Sequence, residues 1–266
     1  MSAVHDGYSL GKSVIRTPVG GAALSEATLN VVLSSGVDVR PRFQFKRTTK
    51  DGSIHIEPNP RVAGVTASFT RHKQLEIAAD IKESCFRVYD NAFSDADVAN
   101  MPSTPYELPD GRTLELGIER FKVPELLFNP GLLTSMPTPM SGDTSIGTLA
   151  DLANSAASLK GIPAAVADVV NRCDIDIRRE LYGGIVLTGG GSLFTGLKER
   201  LERDITASAP AAVKVKLMAS TSTQERRFGT WLGGSILSSL GTFQQLWMSK
   251  REYEEHGAAL VHKKCP

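Results

Sequence analysis

Cysteine is scarce in this chain of 266 residues: Cys85, Cys173 and Cys265 are odd in number and far apart. Such spacing suits neither a disulfide framework nor the paired ligands of a structural zinc site, and it points to a reducing compartment. An excess of one charge is also lacking. Thirty lysines and arginines face 29 acids, a net charge of +1, so there is no overall basic field to hold a phosphate backbone and no acidic tail. No apolar run reaches the ~18 residues of a membrane span, and Met1 to Asp6 lacks the apolar core of a signal peptide. The expectation is a protein that stays inside the cell with no membrane partner. His5, His55, His72, His256 and His262 never pair with one another at helical or hairpin spacing, which removes the usual zinc pattern. No repeat of solenoid period is present.

What is there is core-forming material: 41% of the residues are hydrophobic, enough for one or two domains. Ser13 to Val19 reads as a strand, and Ala22 to Leu33 as a helix carrying Leu24, Ala27, Val31 and Val32 on one side. From Gly36 to Thr66 the periodicity dissolves among Arg40, Arg42, Lys46, Arg47 and Lys50, with Asp51-Gly52 and Pro41, Pro58 and Pro60. This is read as a surface insertion, its cations solvated in preference to bound to phosphate. Leu75, Ala78, Ile81, Cys85 and Val88 restore a helical period between Thr70 and Tyr89. Pro109-Asp110-Gly111 presets a hairpin turn between Tyr106 to Leu108 and Thr113 to Gly117. Pro124 suits the first turn of a short helix through Phe128. Gly131 to Lys160 is expected to be a second, mobile insertion with a faint helical signal from Leu149 to Leu159.

The last hundred residues are the most legible. Ile185-Val186-Leu187 reads as a buried strand broken by Gly189-Gly190-Gly191, after which Leu197, Leu201 and Ile205 mark a helix face. Val213, Val215 and Leu217 alternate with Lys214 and Lys216, closing a βαβ-like unit. Ser249 and Glu252 form a capping box ahead of a helix that Gly257 would stop. The glycine turn lets backbone approach a ligand, but Phe194 stands where a dinucleotide fingerprint needs glycine, no Gly-Lys-Ser/Thr follows, and the hydrolase elbow lacks its closing glycine. On spacing alone, a ligand-binding turn and a structural one stand level. Cys173-Asp174-Ile175-Asp176 fits a turn or helix cap better than a metal site.

At the C-terminal third the residues carry a resemblance. Trp231-Leu-Gly-Gly-Ser-Ile-Leu-Ser-Ser-Leu-Gly-Thr-Phe-Gln-Gln-Leu-Trp247-Met-Ser-Lys-Arg-Glu-Tyr253-Glu-Glu, with Lys264-Cys265-Pro266, resembles the C-terminal segment of actin and its relatives. Tyr106-Glu-Leu-Pro-Asp-Gly111, Glu119-Arg-Phe-Lys-Val-Pro-Glu125, Cys173-Asp-Ile-Asp-Ile-Arg178 and Leu187-Thr-Gly-Gly-Gly191 extend the likeness upstream. Asp6-Gly7-Tyr8 is similar to the segment just after the second phosphate-binding hairpin of that fold. Val4-His5-Asp6-Gly7-Tyr8, Gln224-Glu225-Arg226-Arg227-Phe228, Leu240-Gly241-Thr242, Cys265-Pro266 and the two insertions resemble the nuclear actin-related proteins of chromatin-remodelling and histone-acetyltransferase complexes.

The resemblance implies an α/β, actin-like (ribonuclease H-like) ATPase fold, C-terminal half only, with an α+β insertion lobe. Residues 1–21 and 142–227 would be the second core lobe with an incomplete sheet, and 22–141 an inserted helical and hairpin lobe including loop 36–66. Residues 228–266 would be C-terminal helices belonging to the first core lobe, and a further insertion falls within 131–160. Lys82, Glu83, Gly189, Gly190, Gly191, Phe194 and Arg227 match the family's purine and ribose contacts, Arg227 replacing a lysine of actin. The phosphate loops, metal-coordinating carboxylates and water-positioning groups have no counterpart in these residues, so no catalytic residue is assigned. ATP would be a structural ligand, weakly held or absent here, with Mg²⁺ only in a full-length form. The implied role is a non-catalytic nuclear subunit that binds actin and an amphipathic scaffold helix of a remodeller ATPase and reaches nucleosomes and histones indirectly. Ile236, Leu237, Leu240 and Leu246 would face that helix. An active ATPase of the superfamily and a filament-forming cytoskeletal actin are the rival readings.

Overall fold

The computed structural model describes residues 1–50, 53–137 and 149–264. Its strands, in chain order, are β1 (Val4–His5), β2 (Tyr8–Ser9), β3 (Phe45–Lys50), β4 (Ser53–Pro58), β5 (Thr104–Glu107), β6 (Thr113–Leu116), β7 (Ile185–Val186) and β8 (Leu217–Met218). The helices are α1 (Gly21–Ser34), α2 (Ala67–Cys85), α3 (Asp95–Val98), α4 (Glu119–Glu125), α5 (Leu149–Ser155), α6 (Ile162–Asn171), α7 (Ile175–Gly183), α8 (Leu197–Ser208), α9 (Thr223–Ser239), α10 (Lys250–His256) and α11 (Val261–Lys264). Short 3-10 turns join them. The chain gathers into two compact units, one of Met1–Arg16, Pro163–Leu193 and Leu201–Pro266, the other of Thr17–Ile162 and Phe194–Arg200.

In the second of these units α1 packs on α2; of the expected α1 face Leu24, Ala27 and Val32 are buried and Val31 half-buried, while Leu29, outside that face, is buried as well. Leu24, Ala27, Leu29, Val32 and Ile81 are buried, and each large aliphatic side chain so removed from water contributes ~1.5–3 kcal/mol. Gly36, at φ 81°, takes the left-handed turn that stops α1. Thr66 caps α2 by accepting from the Phe69 N–H at 3.3 Å. α2 ends at Cys85, before the expected Tyr89, because the chain turns extended at Phe86, and Val88 bonds sideways to the Thr195 carbonyl at 2.9 Å.

Two further elements of this unit differ from the sequence reading. Residues 36–66 are not all loop: β3 and β4 pair antiparallel over six positions, from Phe45 opposite Pro58 to Lys50 opposite Ser53. β3 has no apolar alternation beyond Phe45, whereas β4 does alternate, Ile54 and Ile56 falling between Ser53, His55 and Glu57, a short signal that the sequence reading passed over. The other is Pro124, which lies near the end of α4 and not in a first turn. Its missing N–H would leave the Arg120 carbonyl unpaired. The Arg87 N–H fills that vacancy from outside the helix at 3.1 Å.

The ion pair of Arg200 with Glu125 organises the same unit. Both side chains are about 95% buried, the two guanidinium nitrogens lying 3.1 and 3.3 Å from the carboxylate oxygens. Arg200 also donates to the carbonyls of Tyr89, at 3.0 Å, and Asn91, and lies over the Phe128 ring. A buried charge pair is tolerated when its remaining donors are satisfied this way. Gly161 has no room for a Cβ, which would meet the Phe128 carbonyl oxygen at 1.9 Å.

The first unit is built around Ala3, Val169 and Cys173, against which Leu10, Ile15, Ile177 and Leu181 pack. Asp6 and Gly7, at φ 50° and 82°, form the two-residue turn between β1 and β2, as an Asp-Gly pair favours. The expected strand from Ser13 to Val19 reduces to one residue, Ile15, exchanging both hydrogen bonds with Met1 at 2.8 and 2.9 Å. Ser13 is instead drawn into a 3-10 turn, its hydroxyl donating to Leu10 and accepting from the Ala3 N–H. β7 and β8 pair in parallel across α8, so the βαβ unit is present. Val213, Val215 and Leu217 do alternate inward against exposed Lys214 and Lys216, though ladder pairing begins only at Leu217. Asp174 occupies the N-cap position of α7 but caps it with backbone alone. The second insertion is helical at α5; its residues 138–148 lie outside those described.

The capping box on α10 is present on both sides, and Lys264 donates to Glu252 at 2.7 Å and to the Trp247 carbonyl at 2.7 Å. The Lys264 bond, then the Ser249 backbone and hydroxyl bonds, pull the Glu252 carboxyl from 4.5 down to about 2. A depressed carboxyl stabilises the fold above its unfolded pKa and loses that contribution as pH falls through the folded value. Amide exchange of α10 is therefore expected to be pH-independent in protection above about 4.5 and to lose protection progressively toward pH 2. Protection unaltered across that window, or lost above pH 5, would contradict the assignment.

Candidate functional site

The glycine turn after β7 is set by Arg226. Its backbone carbonyl accepts from the Gly189 N–H at 2.7 Å and from the Thr188 hydroxyl at 2.9 Å. Its guanidinium donates to the Ser192 hydroxyl at 2.9 Å and to the Ser192 carbonyl. One residue at the start of α9 thus holds both ends of the turn. Gly189 has φ 96°, a conformation that costs an L-residue ~1–2 kcal/mol. A Cβ on Gly189 or Gly191 would meet no described atom within 4 Å, so the exposed backbone lies open to a flat ligand. Arg227 lies alongside, its Cγ and Nε 3.8 and 3.9 Å from the Cβ position of Gly190. Gly189, Gly190, Gly191 and Arg227 therefore come together as one exposed surface. Gly229 closes the base, where a Cβ would strike the Thr188 hydroxyl at 2.6 Å.

Lys82, Glu83 and Phe194 belong to the other compact unit. α2 carries the first two on adjacent positions. Glu83 is exposed, whereas Lys82 is 93% buried and donates to the Gly21 carbonyl at 3.0 Å and the Ser25 hydroxyl at 2.8 Å. Lys82 thus ties α2 to α1, a task that its residue type alone did not reveal. One turn earlier, Asp80 accepts from the Tyr106 hydroxyl at 2.5 Å, and burial, with that bond, pushes the tyrosine pKa up. The helix face bearing Glu83 is held from two sides. Phe194 is half-buried beside the Thr195–Val88 bond. A cavity of about 280 Å³ elsewhere in this unit is lined by Arg87, Tyr89, Asp90, Met101, Arg120 and Phe121, and none of the residues selected from the sequence borders it.

Chemically, the turn offers backbone and a guanidinium, and α2 an exposed carboxylate, Glu83. Among the described residues no group of three or more His, Cys, Asp or Glu side chains is placed to hold a metal ion. Sequence reasoning selected Arg227 and passed over Arg226. The signal was the adjacent pair Arg226-Arg227, of which one can turn back toward the glycines while the other faces outward.

The sequence that folds in this way matches a known family. The actin family model, described as "Actin", matches residues 1–266. The chain belongs to the actin family. Its α/β architecture is accordingly that of the actin fold. Actin-related protein 4 of Arabidopsis thaliana is 45% identical over 267 residues, covering all of this chain and 58% of the relative. Actin-related protein 4 of Oryza sativa subsp. indica is also 45% identical, over 266 residues, with the same coverage. Actin-related protein 4 of Mycosarcoma maydis is 36% identical over 291 residues, which take in 98% of this chain and 54% of the relative. The chain thus spans a little over half the length of the curated relatives it matches, and it is an actin-related protein at the level those likenesses support.

For this actin-family chain the turn makes a direct prediction. In urea unfolding, Arg226→Ala is expected to cost ~1.5–3 kcal/mol for its charge-assisted bonds, and Gly189→Ala ~1–2 kcal/mol for the φ it forbids. Exposed Arg227→Ala should stay within ~0.5 kcal/mol. Equal losses at 226 and 227 would contradict the division of labour.

Proposed function

We propose that this chain is part of a non-catalytic actin-related subunit of nuclear chromatin-remodelling and histone-acetyltransferase complexes. In that reading it binds actin and an amphipathic scaffold helix, and contacts nucleosomes and histones through the complex. ATP is a structural ligand of a full-length form, with Mg²⁺ accompanying its phosphates. The observation that carries the proposal is the 45% identity, across the whole chain, to proteins named Actin-related protein 4. Glu83 and the open glycine turn with Arg227 are the groups that would receive ribose and purine. The phosphates would be held by parts that these residues do not include.

The C-terminal helices support the partner assignment. No residue from Thr223 to Lys264 is buried, and Trp231, Ile236, Leu237 and Trp247 are each 60–70% exposed. Leu240 and Leu246 flank the 3-10 turn between α9 and α10 and are exposed as well. Apolar side chains at such density form the anchors by which grooves take up amphipathic helices. Part of this surface is assigned to the remainder of the fold, and Ile236, Leu237, Leu240 and Leu246 to the helix.

The test uses a form with the relatives' full length. Leu240→Asp and Leu246→Asp should each abolish capture of the scaffold helix while leaving the melting temperature within a few degrees. Unfolding by both substitutions, or capture untouched by both, rejects this segment as the partner surface.

A further inference from the structure

The near-neutral total conceals a strongly uneven distribution of charge. Between Arg40 and Lys73 eight lysines and arginines stand against two acids, a net of +6, so the remaining 22 cations and 27 acids carry −5. The structure folds this segment into the β3–β4 hairpin, its neck, and the start of α2. Phe43 and Phe69 pack at 5.3 Å, bringing the neck onto α2. Asn59 binds the neck across itself, its side chain donating to the Phe43 carbonyl at 2.8 Å and its N–H to the Gln44 carbonyl at 2.9 Å. Arg42, Lys46, Arg61 and Arg71 are thereby carried on this ribbon, its neck and the start of α2.

Their neighbours show which cations are already committed. Arg40 pairs with Asp38 at 2.7 Å, Arg47 with Glu107 at 3.1 Å, and His72 and Lys73 share Glu76 at 3.1 and 2.8 Å. Arg42, Lys46, Arg61 and Arg71 make no ion pair among the described residues, although Glu57 stands opposite Lys46 in the ladder. Arg42 is stacked over the Phe45 ring at 5.4 Å, which orders its guanidinium without neutralising it. Cations concentrated on one short segment, with Glu57 the acid opposite Lys46, repel one another, and an anion that joins them relieves that repulsion.

We propose that the β3–β4 ribbon and its neck contact the phosphate backbone of duplex DNA. The ribbon is six residues long, ~20 Å at strand rise, and a two-stranded antiparallel ribbon is of a width that the major groove admits. Its exposed positions Lys46, Thr48, Thr49 and His55 offer an ammonium, two hydroxyls and an imidazole suited to phosphate oxygens, against one exposed carboxylate, Glu57, and one exposed aliphatic, Ile56. They supply no large apolar cluster of the kind that anchors a protein partner, which argues against an acidic protein as the occupant. This inference stands on charge and geometry and does not depend on the subunit reading.

The experiment is fluorescence anisotropy of the whole chain with a labelled 20-base-pair DNA duplex, measured between 50 and 200 mM salt. Binding should weaken steeply with salt, and Arg42→Ala, Lys46→Ala, Arg61→Ala and Arg71→Ala together should lower affinity at least tenfold and flatten the log–log salt slope by about 2–4. Circular dichroism checks that the quadruple variant folds. If it does not, Lys46→Gln alone serves, with an expected loss of about threefold and a slope smaller by about one. Absence of duplex binding, or affinity and slope unchanged in the variant that folds, overturns the proposal. So does equal competition by poly-L-glutamate, which would assign the patch to acidic proteins, or tighter binding of single-stranded RNA.

Discussion

Among the described residues, an apolar surface on the C-terminal helices lies exposed, and the proposed function depends on it. From Thr223 to Lys264, through α9, α10 and α11, no side chain is buried, although the segment contains two tryptophans and a run of leucines and isoleucine. Local chemistry holds these helices: the Ser222 cap on α9, the Ser249–Glu252 box, and Lys264 closing onto Trp247. Such contacts define helix ends and contribute ~1 kcal/mol each, far less than burial of the same aromatic surface would. The apolar surface from Thr223 to Lys264 thus stays exposed among the described residues, and the proposed function gives it a protein partner.

The opposite condition holds around α1 and α2, where charge itself is buried and fully engaged. Lys82 bridges two helices through a carbonyl and a hydroxyl, and Arg200 with Glu125 fixes the segment from Tyr89 to Asn91. Buried ionic groups of this kind hold geometry more than they add stability. The residues that present themselves outward from this frame, Glu83 on α2 and the cations of the hairpin neck, are thus carried on a firm support.

Much of this was legible in the sequence, for reasons that can be named. α1 and α8 follow the helical period of buried aliphatics, the β5–β6 hairpin follows Pro109-Asp110-Gly111, and α10 follows its capping box and Gly257. What escaped depends on contacts distant in sequence. β3 has no apolar alternation and is set by its pairing with β4, Pro124 is accommodated by a hydrogen bond from Arg87, and Lys82 is buried because Gly21 and Ser25 lie some sixty residues away to receive it. At the candidate site the glycines were found from their spacing. Arg226 was not, since no local pattern shows which of two adjacent arginines turns inward.

The central claim is that the C-terminal apolar surface receives a partner helix. Hydrogen exchange followed by mass spectrometry, on a form with the relatives' full length with and without the amphipathic scaffold helix, tests it most directly. The account predicts that helix addition slows exchange in the segment containing Ile236, Leu237, Leu240 and Leu246 while leaving α1 and α2 unchanged. Exchange in that segment that is the same with and without the bound helix, or protection confined to other regions, would contradict it.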